Sequence, residues 1–453
     1  MSRVLGSTSP TRRLRQLVQH FAPYSASAAS PWFPTTRLDS ASRRLLHRAL
    51  STSSPNRSAA QGTAAWTFTT SAAFHGKPTN RSRRSGPHHG DSADLLARPK
   101  SVQQGLAPDH PLCVWRDQHL AEGKAPKEIG AGHDWWFVEG IPSEDEPRGT
   151  RGVVLGVADG VGGWEDSGVD PSHFAQALMW FARERVRTAS WSWPTDTGSR
   201  SGESLKELLD GAFKDVTNEE AIVAGSSTAC LALLDAETGM FHAANLGDSG
   251  FFILRPHATD SLPPTPPASP VGDEKDATAP PPGPSTTYSV LHAQEPQVHF
   301  FNAPRQLSKI PAAELKRAGG EEGGNWLIDR PKDADTFSMQ LEDGDVVMLF
   351  TDGYSDNVWP SGETDRLLEL VRSRIGTTAA ASPDSTMSRA DADKELASSI
   401  AQTAVTFARM IAVRPDVYTP FAAESKRWQV KGMERGGKVD DVTVVVGVVR
   451  KEQ

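Results

Sequence analysis

Val153-Val154-Leu155-Gly156-Val157-Ala158-Asp159-Gly160-Val161-Gly162-Gly163-Trp164 carries an apolar run straight into one aspartate and a glycine-rich turn. A run of that length predicts a buried strand, and Gly160, Gly162 and Gly163 let the backbone turn and approach a ligand closely. A carboxylate at a buried strand end is costly unless something positive meets it. Alone, Asp-Gly after a strand is an ordinary turn. Here the device recurs. Asp345-Val346-Val347-Met348-Leu349-Phe350-Thr351 runs into Asp352-Gly353, with Asp356 four residues on, and Ala243-Ala244-Asn245-Leu246-Gly247 runs into Asp248-Ser249. Asp440-Asp441 stands directly before Val442-Thr443-Val444-Val445-Val446, and Asp134 opens Trp135-Trp136-Phe137-Val138. If these edges converge, they make an oxygen-rich site for Mg²⁺ or Mn²⁺, the hard cations that carboxylates suit.

The chain of 453 residues is 37% hydrophobic, below the globular norm of about 45–50%, and carries a formal charge of −8. That charge is unevenly spread. Residues 1–100 hold 15 Lys and Arg against 3 Asp and Glu, and the remainder holds 33 against 53. An acidic body argues against nonspecific nucleic-acid binding, which depends on neutralising phosphates. Cys113 and Cys230 are too few for a disulfide framework or a zinc site, and the chain suits a reducing compartment. No stretch reaches 18 uncharged apolar residues, so no transmembrane helix is expected.

Before Asp39, the first acid, come Arg3, Arg12, Arg13, Arg15 and Arg37 among many Ser, Thr and Ala. Leu14, Leu17, Val18 and Phe21 fall at helical spacing beside those arginines. An Arg-rich, Ser-rich, acid-poor, amphipathic head is the composition of a mitochondrial transit peptide, here residues 1–50, with Arg48-Ala49-Leu50-Ser51 as a processing site. Residues 51–110, rich in Ser, Gly, Arg and His without periodicity, read as a disordered linker. A single large domain is expected over 111–453, with its first core residues near Leu112.

Within that domain His173–Arg187 reads as a helix capped by Ser172, and Ser204-Leu205-Lys206-Glu207 as the capping box of a second helix towards Ala221. Strands are expected at Ser227–Leu234, Met240–Asn245, Gly250–Leu254 and Val442–Val449, and another helix at Leu396–Val413. Two insertions interrupt the pattern. Pro256–Thr287 contains ten prolines and should be an exposed loop outside any sheet, and Gly376–Asp393 reads as a disordered insertion. Gly432–Lys438 nearly matches a P-loop, but Val439 replaces the Ser or Thr, and a strand follows where a helix should. Gly247-Asp248-Ser249-Gly250 echoes a serine-protease nucleophile without its context.

The series Asp134, Asp159-Gly160, Gly247-Asp248-Ser249, Asp352-Gly353 with Asp356, and Asp440-Asp441 resembles, in motif order, the metal-dependent type 2C Ser/Thr protein phosphatases. Ala158–Trp164, Phe300-Phe301-Asn302-Ala303-Pro304-Arg305-Gln306-Leu307 and Val417-Tyr418-Thr419-Pro420-Phe421-Ala422 look like that family's mitochondrial branch, associated with coenzyme Q biosynthesis. The resemblance spans roughly Gly130 to Val449 and implies an α+β fold, an antiparallel β-sandwich flanked by α-helices. It also implies a monomer in the mitochondrial matrix acting on phosphoserine and phosphothreonine proteins.

By the same resemblance Asp159 bridges two Mg²⁺ or Mn²⁺ ions and the Gly160 carbonyl binds one of them. Asp352 and Asp440 ligate the other, making Asp159, Asp352 and Asp440 the catalytic set. Asp134 acts through metal-bound water, and Asp248 and Asp356 match the acids of a weaker third metal position. Water activated between the ions attacks phosphorus in line, so no protein nucleophile is needed. Asp441 occupies a place that is often Asn. Val161 stands where many members carry a His acid, His133 where Glu is frequent, and Ile129 where an Arg grips phosphate. Lys127 is the nearby cation able to substitute for that Arg. Two alternatives stand beside this reading: a phosphatase-fold scaffold of little or no activity binding a mitochondrial partner, and a hydrolase of small phosphorylated metabolites.

Overall fold

In the computed structural model the apolar runs pair antiparallel into two five-stranded sheets. It describes residues 66–78, 106–122, 130–142, 150–191, 201–258, 286–320, 326–380 and 388–452. In chain order the strands are β1 (Trp66–His75), β2 (Asp134–Pro142), β3 (Thr150–Asp159), β4 (Gly225–Ser227), β5 (Ala229–Asp235), β6 (Met240–Leu246) and β7 (Gly250–Ala258). There follow β8 (Thr286–Ala293), β9 (Val298–Phe300), β10 (Ala303–Pro304), β11 (Leu307–Lys309), β12 (Asp335–Gln340), β13 (Val346–Phe350) and β14 (Val442–Lys451). One sheet has the order β1-β14-β13-β7-β8, the other β12-β6-β5-β3-β2, and β4 with β11 and β9 with β10 form two small ribbons.

The helices are α1 (Pro111–Glu122), α2 (Pro171–Arg187), α3 (Ser201–Asn218), α4 (Ala312–Ala318), α5 (Asp352–Ser355), α6 (Asp365–Ala380), α7 (Arg389–Ala412) and α8 (Pro420–Arg427). Successive strand residues face opposite ways, and β14 shows what each face meets. Val445 and Val449 join Leu155, Leu231 and Leu233 of the second sheet in the inter-sheet core. Val442, Val444, Val446 and Val448 pack with Leu396, Ile400 and Ala404 of α7. Helices α2 and α3 cover the second sheet, and α6 and α7 the first. Strands buried on both faces read as unbroken apolar runs, and the observed architecture is the expected α+β sandwich flanked by helices.

The expected linker at 51–110 is corrected by β1. Trp66–His75 pairs residue for residue with β14, from Trp66 opposite Lys451 to His75 opposite Val442. Its Thr-Phe-Thr-Thr-Ser-Ala-Ala sequence has little hydropathy, because small side chains fit between α7 and the neighbouring sheet. Ala72 and Ala73 are buried, the Phe74 ring lies 4.3 Å from that of Trp136, and the Trp66 amide donates to the Ala236 carbonyl. Residues 1–50, the expected leader, and Lys127 and Ile129 lie outside the described residues.

Both insertions are shorter than expected. Pro256 pairs with Tyr288 and Ala258 with Thr286, so the ends of Pro256–Thr287 belong to β7 and β8. Pro256 lies beyond Leu254, the last β7 residue matched to β13 (Leu254 with Val346), so its missing N–H costs that ladder nothing. Helix α6 runs on through 376–380 and α7 begins at Arg389, leaving only 381–387 undescribed in the second insertion. Since Ala258 and Thr286 are partners, replacing residues 259–285 with Asn-Gly should close a two-residue hairpin. Circular dichroism and thermal melting close to the parent's are expected. An unfolded product would show that the proline segment is structural.

Helix α2 is capped by Asp170, which accepts from the Ser172 amide, rather than by Ser172. Ser204 lies inside α3, a turn after its start, because the helix begins at Ser201. On α1, His119 sits 4.9 Å from the Trp115 ring and 5.9 Å from Trp136. Burial first, and the Arg183 charge second, press its pKa down to about 4. Its folded pKa therefore lies below the unfolded value of about 6.5, and the stability it contributes is fully present above that value. Between about pH 6.5 and about 4 the unfolded chain takes up a proton that the fold refuses, and stability falls by up to about 1.4 kcal/mol per pH unit. Denaturant titrations across that window should show the loss, and His119→Gln should flatten it. An unchanged slope in the variant would remove His119 as the cause.

Candidate metal centre

Five acid-bearing segments meet at one end of the sandwich. Asp134 begins β2 and Asp159 ends β3, directly opposite each other in the ladder. Asp248 lies in the turn from β6 to β7, Asp352 opens α5 just after β13, and Asp440-Asp441 leads into β14. Carboxylate oxygens of Asp159, Asp248 and Asp352 lie within 4.8 Å of one another. The glycines that follow two of these acids are required by close approach. A Cβ on Gly160 would collide with the Pro171 carbonyl, and one on Gly353 with the Asp441 carbonyl. Thr351 ties the two sheets together here: its hydroxyl donates to Asp134 Oδ2 at 2.7 Å and accepts the Thr443 amide at 3.0 Å.

The cluster's electrostatics call for cations. Burial, then the neighbouring Asp441, pushes the Asp134 carboxyl well above the usual range. Burial and then Asp352 do the same to Asp159 and to Asp248. Asp356 is raised to about 7, again by burial first, although Lys438 opposes the shift. At Asp440 burial is outweighed by Lys438 and Lys77, and its pKa falls to about 2. Oδ1 of Asp134, of Asp248 and of Asp352 is buried without a hydrogen-bond partner. Orphaned, hard, anionic oxygens at this density fit a divalent cation such as Mg²⁺ or Mn²⁺, and would be costly without one.

Two lysines escape the sequence reading. Lys438 Nζ bonds to Asp352, to Asp356 at 2.8 Å and to Asp440 at 3.1 Å. Lys77, just past β1, reaches Asp440 at 2.8 Å and Asp441 at 3.4 Å. Lys438 sits two residues before Asp440, a spacing that puts both on one side of an extended segment. That spacing is the available signal, hidden by the resemblance of Gly432–Lys438 to a P-loop. Lys77 gives none, since its strand reads as linker.

The remaining motif residues buttress the site. Asp441 is a clasp: it accepts the Lys77 amide at 2.6 Å and the His133 amide at 3.0 Å. His133 Nε2 lies 2.9 Å from Glu165. Trp164 Nε1 donates to Ser226 Oγ at 2.7 Å, and that hydroxyl bonds to Gln306. The Phe301 ring lies 5.1 Å from Phe421, which follows the Thr419 cap of α8. Val161 donates its amide to Ser226 and offers no titratable group. Ser249 is buried against Thr228, with oxygens 2.7 Å apart, as befits a structural hydroxyl.

No family model matches the chain. Curated relatives do. It is 29% identical over 352 residues to the protein phosphatase PTC7 homolog fig of Drosophila willistoni, covering 78% of this chain and 85% of that one. It is 31% identical over 297 residues to the protein phosphatase PTC7 homolog of Danio rerio, covering 65% and 76%. Against the solved structure of the photosystem II phosphatase PBCP the identity is 21% and the TM-score 0.43, over 71% of this chain and 93% of that one, a likeness too loose to add to the assignment.

Proposed function

The chain belongs to the family of the PTC7 protein phosphatase homologues, and from that premise we propose that it hydrolyses phosphoserine and phosphothreonine monoesters of proteins at the carboxylate cluster. The observation that carries this is the convergence of Asp159, Asp248 and Asp352 within 4.8 Å, with a buried, unpartnered oxygen on two of them. Asp159 and the Gly160 carbonyl would share two Mg²⁺ or Mn²⁺ ions with Asp352 and Asp440, and Asp134 would act through ordered water. Bound there, such ions polarise phosphoryl oxygens and lower the pKa of water from about 15.7 towards about 7.

The chain's own residues supply the rest. Thr351 fixes Asp134 through one carboxylate oxygen and leaves the other without a hydrogen-bond partner. Lys77, one-third exposed, is the cation placed to meet an incoming phosphate, as a point charge without the bidentate grip of Arg. Val161 has no side-chain proton to give, so the leaving alkoxide would take its proton from water or from another residue.

The Arg-rich, acid-poor head supports delivery to the mitochondrial matrix, where the protein would act as a monomer. Among the described residues no helix is long and apolar enough to cross a membrane. Protein recovered from mitochondria should begin between Asp39 and Trp66, because β1 has to be kept; a cytosolic protein with an intact Met1 would contradict this. The test of function is hydrolysis of a phosphopeptide that appears with Mn²⁺ and disappears with chelator. Faster turnover of small phosphorylated metabolites would shift the substrate class. Inactivity with every divalent ion would leave a scaffold.

A further inference from the structure

We propose that Lys438 is a resident cation of the metal centre: its ammonium group holds Asp352, Asp356 and Asp440 together before divalent ions load, and takes the place of a third ion. The inference rests on the metal-centre reading above. The lysine occupies a built seat. Asn357, 1% exposed, donates to the Lys438 carbonyl at 2.9 Å and accepts the Lys438 amide at 2.9 Å, so one side chain pins both backbone groups. Asn357 Nδ2 also donates to the Gly353 carbonyl, fixing the seat to α5. The Phe421 ring lies 5.6 Å from the ammonium. A lysine has three N–H donors, and three carboxylates meet them.

Asp352 and Asp356 are one helical turn apart, so a single cation can span them. Asp356 is also one of the two acids, with Asp248, that the third metal position would need. Formal charge points the same way. Seven carboxylates (Asp134, Asp159, Asp248, Asp352, Asp356, Asp440, Asp441) face two ammonium groups, Lys77 and Lys438. Two divalent ions leave the site close to neutral and still slightly anionic. A third beside Lys438 would reverse its sign.

The test uses the full chain stripped with EDTA and titrated with manganese alone, reading stoichiometry by calorimetry and melting temperature by fluorescence. The parent should bind two ions. Lys438→Met should bind a third, and its metal-free form should melt at least about 5 °C lower, because removing one partner strands buried charges. Manganese should restore the melting. Lys438→Arg, which keeps the charge, should bind two ions and melt near the parent. A Met variant that folds only with manganese supports the proposal just as the lowered melting does. One that is unfolded in both conditions overturns the claim that a divalent ion can replace the lysine. Unchanged stoichiometry and melting in Lys438→Met, or an Arg variant that behaves like Met, would also overturn it. A parent that bound no manganese would sink the metal reading itself, and the proposal with it.

Discussion

Asp159→Asn and Asp352→Asn should each lower kcat/KM for a phosphopeptide by at least about 10²-fold, roughly 2.7 kcal/mol of transition-state stabilisation. Asn keeps the shape and one carbonyl oxygen but loses the charge that a pair of divalent ions would share. Stability should separate the two variants. In the metal-free protein the two carboxyls crowd each other among further acids, and Asp352 Oδ1 has no donor. Neutralising Asp159 relieves repulsion, so in that variant melting in EDTA should hold or rise while manganese-dependent activity collapses; Asp352→Asn also weakens the Lys438 contact and should melt lower without metal. Asp441→Asn is a different case, since Asp441 works as a clasp on Lys77 and His133, and its effect on turnover should be much milder. Two active-site Asn variants with near-full manganese-dependent activity would show that the assigned carboxylates are not the catalytic ones.

Removing residues 1–100 should abolish the fold, whereas removing residues 1–60 should leave it intact. The longer deletion takes β1 and with it the whole ladder on one side of β14. It uncovers Val442, Val444, Val446 and Val448 beside a bare sheet edge, and strips Lys77 from Asp440 and Asp441. Burying one such side chain is worth about 1.5–3 kcal/mol, and a domain's net stability is about 5–15 kcal/mol, so the loss exceeds what the remainder can bear. An exposed edge of this length also invites aggregation. Soluble expression, circular dichroism and melting of the two truncations decide the matter. A cooperative melt from the chain lacking 1–100 would mean that β1 is an accessory strand.

The acids are legible because a charge at the end of an apolar run is rare and has few uses, and five such ends in one chain limit the reading to a shared site. Strands β3, β5, β13 and β14 are legible for the related reason that burial on both faces leaves an unbroken apolar signal. Strand β1 is not, because at an edge pressed by α7 the useful side chains are Ala, Ser and Thr, which resemble linker. The lysines are obscured by distance. Nothing in the sequence near Lys77 shows that Asp440, 363 residues away, will accept its ammonium. The ends of the Pro-rich insertion are hidden because proline reads as the limit of a sheet, although Pro256 sits where a neighbouring strand has already stopped.

The pairing of Trp66 with Lys451 has a kinetic meaning as well. The first described strand cannot find its place until the last one exists, so most of the chain must be made before this sheet can close. Contacts of such long range form slowly, and the partly made chain carries a missing neighbour beside β13 throughout. The same order governs the site, because Lys77 comes from one end of the chain and Lys438, Asp440 and Asp441 from the other. A chain stalled before residue 438 would hold Asp134, Asp159, Asp248 and Asp352 without Lys438, and with Lys77 lacking the β14 partner that positions its strand. The proposed metal site would thus be complete only at the close of the chain's own synthesis, and a truncated product is marked from the start by an open edge for chaperones and proteases to find.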